Sequence, residues 1–134
     1  LSHIERTSIL CYVLDLAAPQ RPAAQLSSLR AELEFYQPGL SRRACIIIAN
    51  KADVTGAAER LRELRAEVAL RALRGEFPGL SEPAEGTSRV TAVSALCRRN
   101  LELVITRLQR ELSRTKQAQL QLDTAGKCSS HFTK

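Results

Sequence analysis

The stretch that decides the fold is A-C-I-I-I-A (Ala44–Ala49), followed at once by Asn50-Lys51-Ala52-Asp53. A short apolar run rich in β-branched residues has the length and composition of a strand that is buried on both faces of a sheet. We therefore predict a strand from Ala44 to Ala49, with the polar tetrapeptide at its carboxyl end. Ligands of open α/β sheets bind in the crevice beyond such ends.

Two further runs resemble this strand. Ser8–Leu16 is apolar at nearly every position, which again predicts a parallel strand buried on both faces. Arg89–Val93 predicts a short third strand. The intervening Gly75–Ser88 contains three glycines, two prolines and several acidic residues, a composition typical of a loop.

Helical periodicity separates and follows the strands. Leu26, Leu29, Leu33 and Tyr36 are spaced to form one stripe toward a sheet, and Pro38-Gly39 is expected to end that helix. A second helix is predicted from Ala57 to Arg74, with Leu61, Leu64, Val68 and Ala72 on its buried face. A third is predicted from Asn100 to Ser113, with Leu101, Val104, Ile105, Leu108 and Leu112 on one side.

This order, β-α-β-α-β-α, predicts an α/β fold: a parallel sheet with right-handed crossovers and helices on both faces, in three layers. Three buried strands are too few to stand comfortably alone, so we expect the sheet to be incomplete and its open edge to need further strands. The domain is expected to cover residues 1–113. Residues 114–134 form a polar, basic tail that we predict to be disordered.

Composition limits the possible functions. The 134 residues suffice for one small domain, and no apolar run approaches the roughly 20 residues of a membrane-spanning helix. The formal net charge of +6 suggests an anionic partner such as RNA, but solvated helix faces explain it equally well. No basic run interleaves with aromatic residues, which argues against a stacking platform for single-stranded nucleic acid.

Several tempting residues have ordinary explanations. The four cysteines (Cys11, Cys45, Cys97 and Cys128) lack the close spacing of a zinc site and are interpreted as free thiols of a reducing compartment. Asp15 is expected to bond to neighbouring backbone N–H groups instead of acting as a catalytic acid. His3 and His131, and the pair Glu32 and Glu34, likewise do not form a catalytic site.

The chemistry of Asn50-Lys51-Ala52-Asp53 fits a guanine base. The carboxylate of Asp53 can accept hydrogen bonds from N1–H and the 2-amino group of guanine, whereas adenine would leave it unpaired at a substantial cost. The Asn50 amide can donate to N7 and connect two loops, and the stem of Lys51 can lie along the face of the base.

A second segment, Ser94-Ala95-Leu96, follows the third predicted strand. Its small residues leave a backbone N–H able to donate to guanine O6. Because carboxyl ends of parallel strands meet at one edge of a sheet, we expect both segments to form a single site.

These two segments resemble the fourth and fifth conserved sequence motifs of P-loop GTPases, and the surrounding sequence resembles that of the Obg family. The specific features are H-I-E-R-T (His3–Thr7), V-L-D-L (Val13–Leu16) and E-L-E-F-Y (Glu32–Tyr36). The resemblance covers about Leu1 to Leu112 and implies the carboxyl-terminal half of an Obg-type G domain. It assigns guanine contacts to Asn50, Lys51, Asp53, Ser94 and Ala95. Leu96 stands where many GTPases have a lysine.

The resemblance also implies GTP and GDP as ligands, and Mg²⁺ in the intact family member. The G-x-x-x-x-G-K-[ST] segment and the switch segments, which in the family precede H-I-E-R-T, are missing from this sequence. We therefore expect a fragment that is inactive alone and whose partner is the missing amino-terminal half of its own G domain. The resemblance further implies a role in ribosome assembly through the ribosomal subunit and its rRNA, in mitochondria or cytoplasm, with the mitochondrion slightly favoured.

Two alternatives stay open at this stage. The chain could be a truncated, non-catalytic α/β module that binds a protein or RNA without nucleotide. It could also bind an adenine nucleotide, although Asp53 would then face the wrong edge of the base.

Overall fold

The computed structural model describes residues 9–83, 88–94 and 100–114. Three strands and three α-helices alternate along this part of the chain: β1 (Leu10–Asp15), α1 (Pro22–Tyr36), β2 (Cys45–Asn50), α2 (Ala57–Leu73), β3 (Val90–Ala92) and α3 (101–114). The predicted α/β architecture is confirmed, with strand and helix ends shifted by one or two residues in most cases. The tail after residue 114 and the H-I-E-R-T segment lie outside the described residues.

The strands form one parallel sheet in the order β1-β2-β3. Leu10 lies beside Cys45 and Asp15 beside Asn50, so β1 and β2 end level with each other. Ala49 lies beside Ala92 in the third strand. This register brings the polar residues after all three strands to the same edge.

Helices cover the sheet on two faces because successive side chains of β2 point in opposite directions. Cys45, Ile47 and Ala49 pack toward α1 and α2, while Ile46 and Ile48 pack toward α3. The α1/α2 side forms the larger core, which includes Leu10, Tyr12, Leu14, Leu26, Leu64, Val68, Phe77 and Val90. On the α3 side, Val93 is buried and Val104 and Leu108 pack against it. The three layers follow directly.

The expectation that the first strand is buried on both faces is wrong for this chain. Burial in β1 alternates: Tyr12 and Leu14 are buried, whereas Cys11 and Val13 are exposed. Their side chains point to the α3 side of the sheet, where no described element covers β1. The apolar composition of β1 therefore exceeds what the described residues bury.

The predicted stripes of the helices are only partly buried. Leu26 and Leu64 lie in the core, but Tyr36 at the end of α1 is exposed. In α3, Leu101 and Ile105 are exposed although their spacing predicts burial. Leu103 and Leu112 of α3 are exposed as well. No helix in the described part of the chain is long and apolar enough to span a membrane.

Local chemistry fixes the helix ends. Pro22 begins α1, where its missing N–H costs nothing. After α1, Gly39 adopts a φ of 88° and its N–H donates to Glu34 Oε2 at 2.7 Å; Ser41 donates to the other oxygen of the same carboxylate. Glu34 thus stabilises the turn that leads into β2. This structural role accounts for the carboxylate, so no catalytic pairing with Glu32 is needed to explain it.

Candidate functional site at the carboxyl ends of the strands

The ends of the three strands converge as the sequence predicts. Asp15 ends β1, Asn50 ends β2, and Ser94 follows β3. The loops after β2 and β3 are tied together, since the N–H of Ala52 donates to the carbonyl of Val93 at 3.0 Å. The site is therefore one continuous edge of the sheet.

Asp53 is held by Ser94. The hydroxyl of Ser94 donates to Oδ1 of Asp53 at 2.6 Å across 41 residues of sequence. Ser94 is completely buried, whereas Asp53 is exposed at the edge of the sheet. A carboxylate has about four lone-pair positions, so the bond from Ser94 orients the group while occupying one of them.

Asn50 shapes the turn that presents Lys51. The side-chain Oδ1 of Asn50 accepts the N–H of Lys51 at 2.8 Å, and the Asn50 carbonyl accepts the N–H of Leu16 at 3.1 Å. Lys51 has a φ of 67°, a left-handed conformation that costs a residue with a Cβ about 1 kcal/mol or more. Backbone strain of this kind concentrates at functional sites.

Lys51 forms an ion pair that sequence reasoning missed. Its Nζ lies 2.9 Å from Oδ2 of Asp15, with the two side chains 50% and 38% exposed. The other oxygen, Oδ1, accepts the N–H of Ala17 at 2.8 Å, which confirms the expected bond from Asp15 to nearby backbone. Hydrogen bonds from Lys51, and then from Ala17, lower the pKa of the Asp15 carboxyl below its ordinary value.

The position of Asp15 is itself fixed by α1. Gln25 accepts the N–H of Asp15 at 2.9 Å and donates to the carbonyl of the same residue at 2.8 Å. Its Nε2 also donates to the carbonyl of Gln20 at 2.9 Å, which ties the β1–α1 turn to the helix. The only sequence signal for this arrangement was that Asp15 ends one strand and Lys51 follows the next strand along the chain. The rotation of α1 about its axis, which places Gln25 beside Asp15, could not be predicted from the sequence.

The remaining predicted residues, Ala95 and Leu96, lie outside the described residues. Oxygen and nitrogen ligands for a metal are also not clustered in the described part: no group of three or more His, Cys, Asp or Glu residues is close enough to hold an ion there. The chemistry that the site offers is therefore hydrogen bonding by an oriented carboxylate, beside an ammonium group held by its own counterion.

Known proteins with a similar sequence are GTPases of the Obg family, at 32–50% identity. The chain is 50% identical over 74 residues to the "Probable GTP-binding protein OBGM, mitochondrial" of Arabidopsis thaliana, a match that covers 51% of this chain and 15% of the plant protein. It is 43% identical over 81 residues to "Mitochondrial ribosome-associated GTPase 2" of Homo sapiens, covering 57% of this chain and 20% of the human protein.

A bacterial relative extends the match along the chain. "GTPase Obg" of Desulforudis audaxviator is 32% identical over 114 residues, 84% of this chain and 23% of that protein. No protein-family model matches the sequence. The resemblance to the Obg family is confirmed, and the matches span less than a quarter of the length of each of these relatives.

Proposed function

We propose that this chain, a relative of the Obg-family GTPases, is the part of an Obg-type GTPase that recognises the guanine base. The observation that carries the proposal is the 2.6 Å bond from the buried Ser94 hydroxyl to Asp53. It orients a carboxylate at the carboxyl edge of a parallel sheet, where ligands of α/β proteins bind. A preoriented carboxylate loses little conformational freedom when a base binds.

Recognition follows from the hydrogen-bonding pattern of the base. Asp53 accepts N1–H and the 2-amino group of guanine, and hydrogen bonds to a charged group are worth about 1.5–3 kcal/mol each. Hypoxanthine keeps N1–H but lacks the amino group, so it forms one of the two bonds. Adenine has neither donor at this corner and leaves the carboxylate facing an acceptor.

The ion pair between Lys51 and Asp15 supports the same site. Since Asp15 neutralises the ammonium and anchors it at the end of β1, the aliphatic stem of Lys51 is free to cover the face of a base. The Asn50 amide, which already fixes the backbone of Lys51, is assigned to N7. The backbone of Ser94 and Ala95 is assigned to O6, and Leu96, which stands where many GTPases have a lysine, is assigned no side-chain contact to the base.

Hydrolysis requires more than this chain supplies. We assign binding of the phosphates and Mg²⁺ of GTP to the amino-terminal half of an Obg-type G domain, and we propose that this half packs against the present segment. Two of the relatives are named as mitochondrial proteins, and one of these as ribosome-associated. On that basis we assign the whole protein to ribosome assembly, and to the mitochondrion in preference to the cytoplasm.

A nucleotide-free interaction module is the second candidate, and one observation favours it. Val13 of β1 and Ile105 of α3 are more than half exposed on the same side of the sheet. Exposed apolar side chains of this size, when they form one patch, mark a protein-binding face. The same surface also suits the amino-terminal half of the G domain, so exposure by itself does not separate the two functions.

Titration of the 134-residue chain with GDP, IDP and ADP separates them. We expect GDP to shift the NMR signals of Asn50, Lys51 and Asp53. The affinity for IDP, read from the same titration, should be roughly tenfold or more lower because one charged hydrogen bond is lost. ADP is expected to leave these signals unshifted. Equal shifts with all three nucleotides would mean that the chain binds the phosphates and does not distinguish the base. The absence of any shift with GDP at millimolar concentration would favour the nucleotide-free module.

A further inference from the structure

A groove of about 540 Å³ runs along the outer edge of β3, between α2 and α3. It lies to one side of the guanine site and shares none of that site's described residues. Arg65 lines it from α2, and Arg107 and Arg110 line it from α3. Thr106 and Asn100 add polar groups, and no carboxylate is among the described residues that line it.

The strand edge at the base of this groove is closed. Arg65 donates to the carbonyl of Val90 at 3.3 Å, and the amide of Asn100 donates to the carbonyl of Ala92 at 2.8 Å. The N–H of Val90 donates to the hydroxyl of Ser88 at 3.3 Å. Since these backbone groups already have side-chain partners, an extended peptide cannot add to β3 as a fourth strand.

The arginines of the groove have no carboxylate within ion-pair distance in the described part of the chain. Arg21, Arg71, Arg89 and Arg114 form ion pairs with glutamates within 4.0 Å. Among the described residues, Arg65, Arg107 and Arg110 form no ion pair of this kind, and neither do the exposed Arg42 and Arg74, so the groove is distinguished by the convergence of three such arginines. Each guanidinium has five N–H donors, and the single bonds from Arg65 to Val90 and from Arg107 to Thr91 leave most of them available.

Arg107 adds a reason for an anion to bind. Burial lowers the pKa of its guanidinium, because the charged form loses hydration between α3 and β3, and nearby Glu111 partly offsets that loss. Glu111 accepts a bond from Ser81 and an ion pair from Arg114, so its charge is shared. An anion in the groove would restore favourable interactions to Arg107.

We propose that this groove binds the phosphate backbone of duplex RNA. Guanidinium groups bind phosphate in bidentate fashion, and hydroxyl and amide groups such as those of Thr106 and Asn100 suit the 2′-hydroxyls of RNA. No aromatic side chain is among the described lining residues on which unpaired bases could stack, which favours a duplex over a single strand. The concave shape between two helices is a poor match for a flat bilayer. The net charge of +6 acts in the same direction.

The test is fluorescence anisotropy with a short labelled RNA hairpin, measured from about 50 to about 200 mM salt. The groove variant is Arg65→Gln with Arg110→Gln, which leaves the half-buried Arg107 in place. The control is Arg42→Gln with Arg74→Gln, which removes the same charge from two exposed arginines that do not line the groove. Urea unfolding of every variant checks that the fold is retained.

We expect the groove variant to bind the hairpin roughly tenfold or more weakly, with a salt slope reduced by about two, one for each lost phosphate contact. The control variant should lose much less affinity. Equal losses in the two variants would overturn the proposal in favour of general charge attraction. Tighter binding of the wild-type chain to anionic phospholipid vesicles than to the hairpin would also overturn it. Asp53→Asn should leave RNA affinity unchanged, so failure here does not bear on guanine recognition.

Discussion

The two edges of the sheet are built differently. At β3, the outward backbone groups of Val90 and the carbonyl of Ala92 bond to side chains of neighbouring segments. At β1, the outward residues are Cys11 and Val13, whose backbone groups have no hydrogen-bond partner in the described part of the chain. A parallel strand directs both groups of every second residue outward, so each unpaired residue offers a donor and an acceptor.

This difference indicates which edge of the sheet can pair with a further strand. At the β3 edge, side chains of neighbouring segments bond to outward backbone groups, and covering an edge in this way is how natural sheets avoid edge-to-edge pairing. At the β1 edge, the backbone of Asp15 is satisfied by Gln25, whose side chain bonds to both its N–H and its carbonyl. Between Cys11 and Asp15, no described residue pairs with this edge, whose outward side chains are apolar. The proposed function calls for a phosphate-binding half of the G domain, and β1 is the edge whose described residues leave room for a further strand.

The largest expected contrast is chemical and concerns two cysteines. Cys11 is exposed on the open side of β1, while burial raises the pKa of Cys45 in β2 to about 12. Since the thiolate is the reactive form, we expect iodoacetamide at pH 8 to modify Cys11 at least about 100-fold faster than Cys45. Mass spectrometry of tryptic peptides separates the two sites. Comparable rates would mean that β1 is covered, and the contrast between the edges would fail.

Neighbouring residues of β1 should differ strongly in their contribution to stability. Leu14 is fully buried, whereas Val13 is 56% exposed. Leu14→Ala is expected to lower the free energy of unfolding by about 2–5 kcal/mol. Val13→Ala should change it by less than about 1 kcal/mol, because the side chain already faces solvent. Urea unfolding measures both variants, and a large loss in Val13→Ala would show that its face is packed in the isolated chain.

The closed edge can be weakened at Asn100. This residue caps the Ala92 carbonyl and has a φ of 60°. Asn100→Ala removes the hydrogen bond and places a Cβ residue in left-handed backbone, so we expect a loss of about 1–3 kcal/mol in the free energy of unfolding. Asn100→Gly loses the bond but tolerates the backbone, and should cost less. If both variants were as stable as the wild type, the cap would not close the edge.

The smallest effect is expected where β1 is closed. Because Lys51 and Ala17 lower the pKa of Asp15, the carboxylate stabilises the fold above its ordinary pKa of 3.8 and this contribution disappears as pH falls through the lower value of the folded state. Asp15→Asn should therefore flatten the acid limb of a plot of unfolding free energy against pH, slightly, since the pair is exposed to solvent. Glu32→Gln is the control. An unchanged acid limb would mean that the Lys51 pair is not formed in solution.

Much of this molecule could be predicted from its sequence because the governing rules are local. Runs of isoleucine and leucine specify buried strands, and the convergence of Asp53 and Ser94 follows from parallel strands ending at one edge. The same reasoning failed for Val13, because an apolar run shows that a strand can be buried but does not show which element covers it, and none of the described elements does.

Contacts between elements were not predictable for another reason. The bonds of Gln25 to Asp15, and of Arg65 to Val90, depend on how each helix is rotated about its axis against the sheet. Helical periodicity gives the face that is buried but not the reach of a long polar side chain at its margin. Both the support behind Lys51 and the closure of β3 arise at such margins.

The most direct test of guanine recognition is a change of base specificity. Dissociation constants for GDP and XDP should be measured for the wild-type chain, Asp53→Asn and the control Glu32→Gln. Xanthine carries a carbonyl where guanine has its amino group, so an asparagine can donate to it while accepting from N1–H. The account predicts that the preference for GDP over XDP inverts in Asp53→Asn and persists in the control. An unchanged preference in Asp53→Asn would contradict the assignment of this site as the reader of guanine.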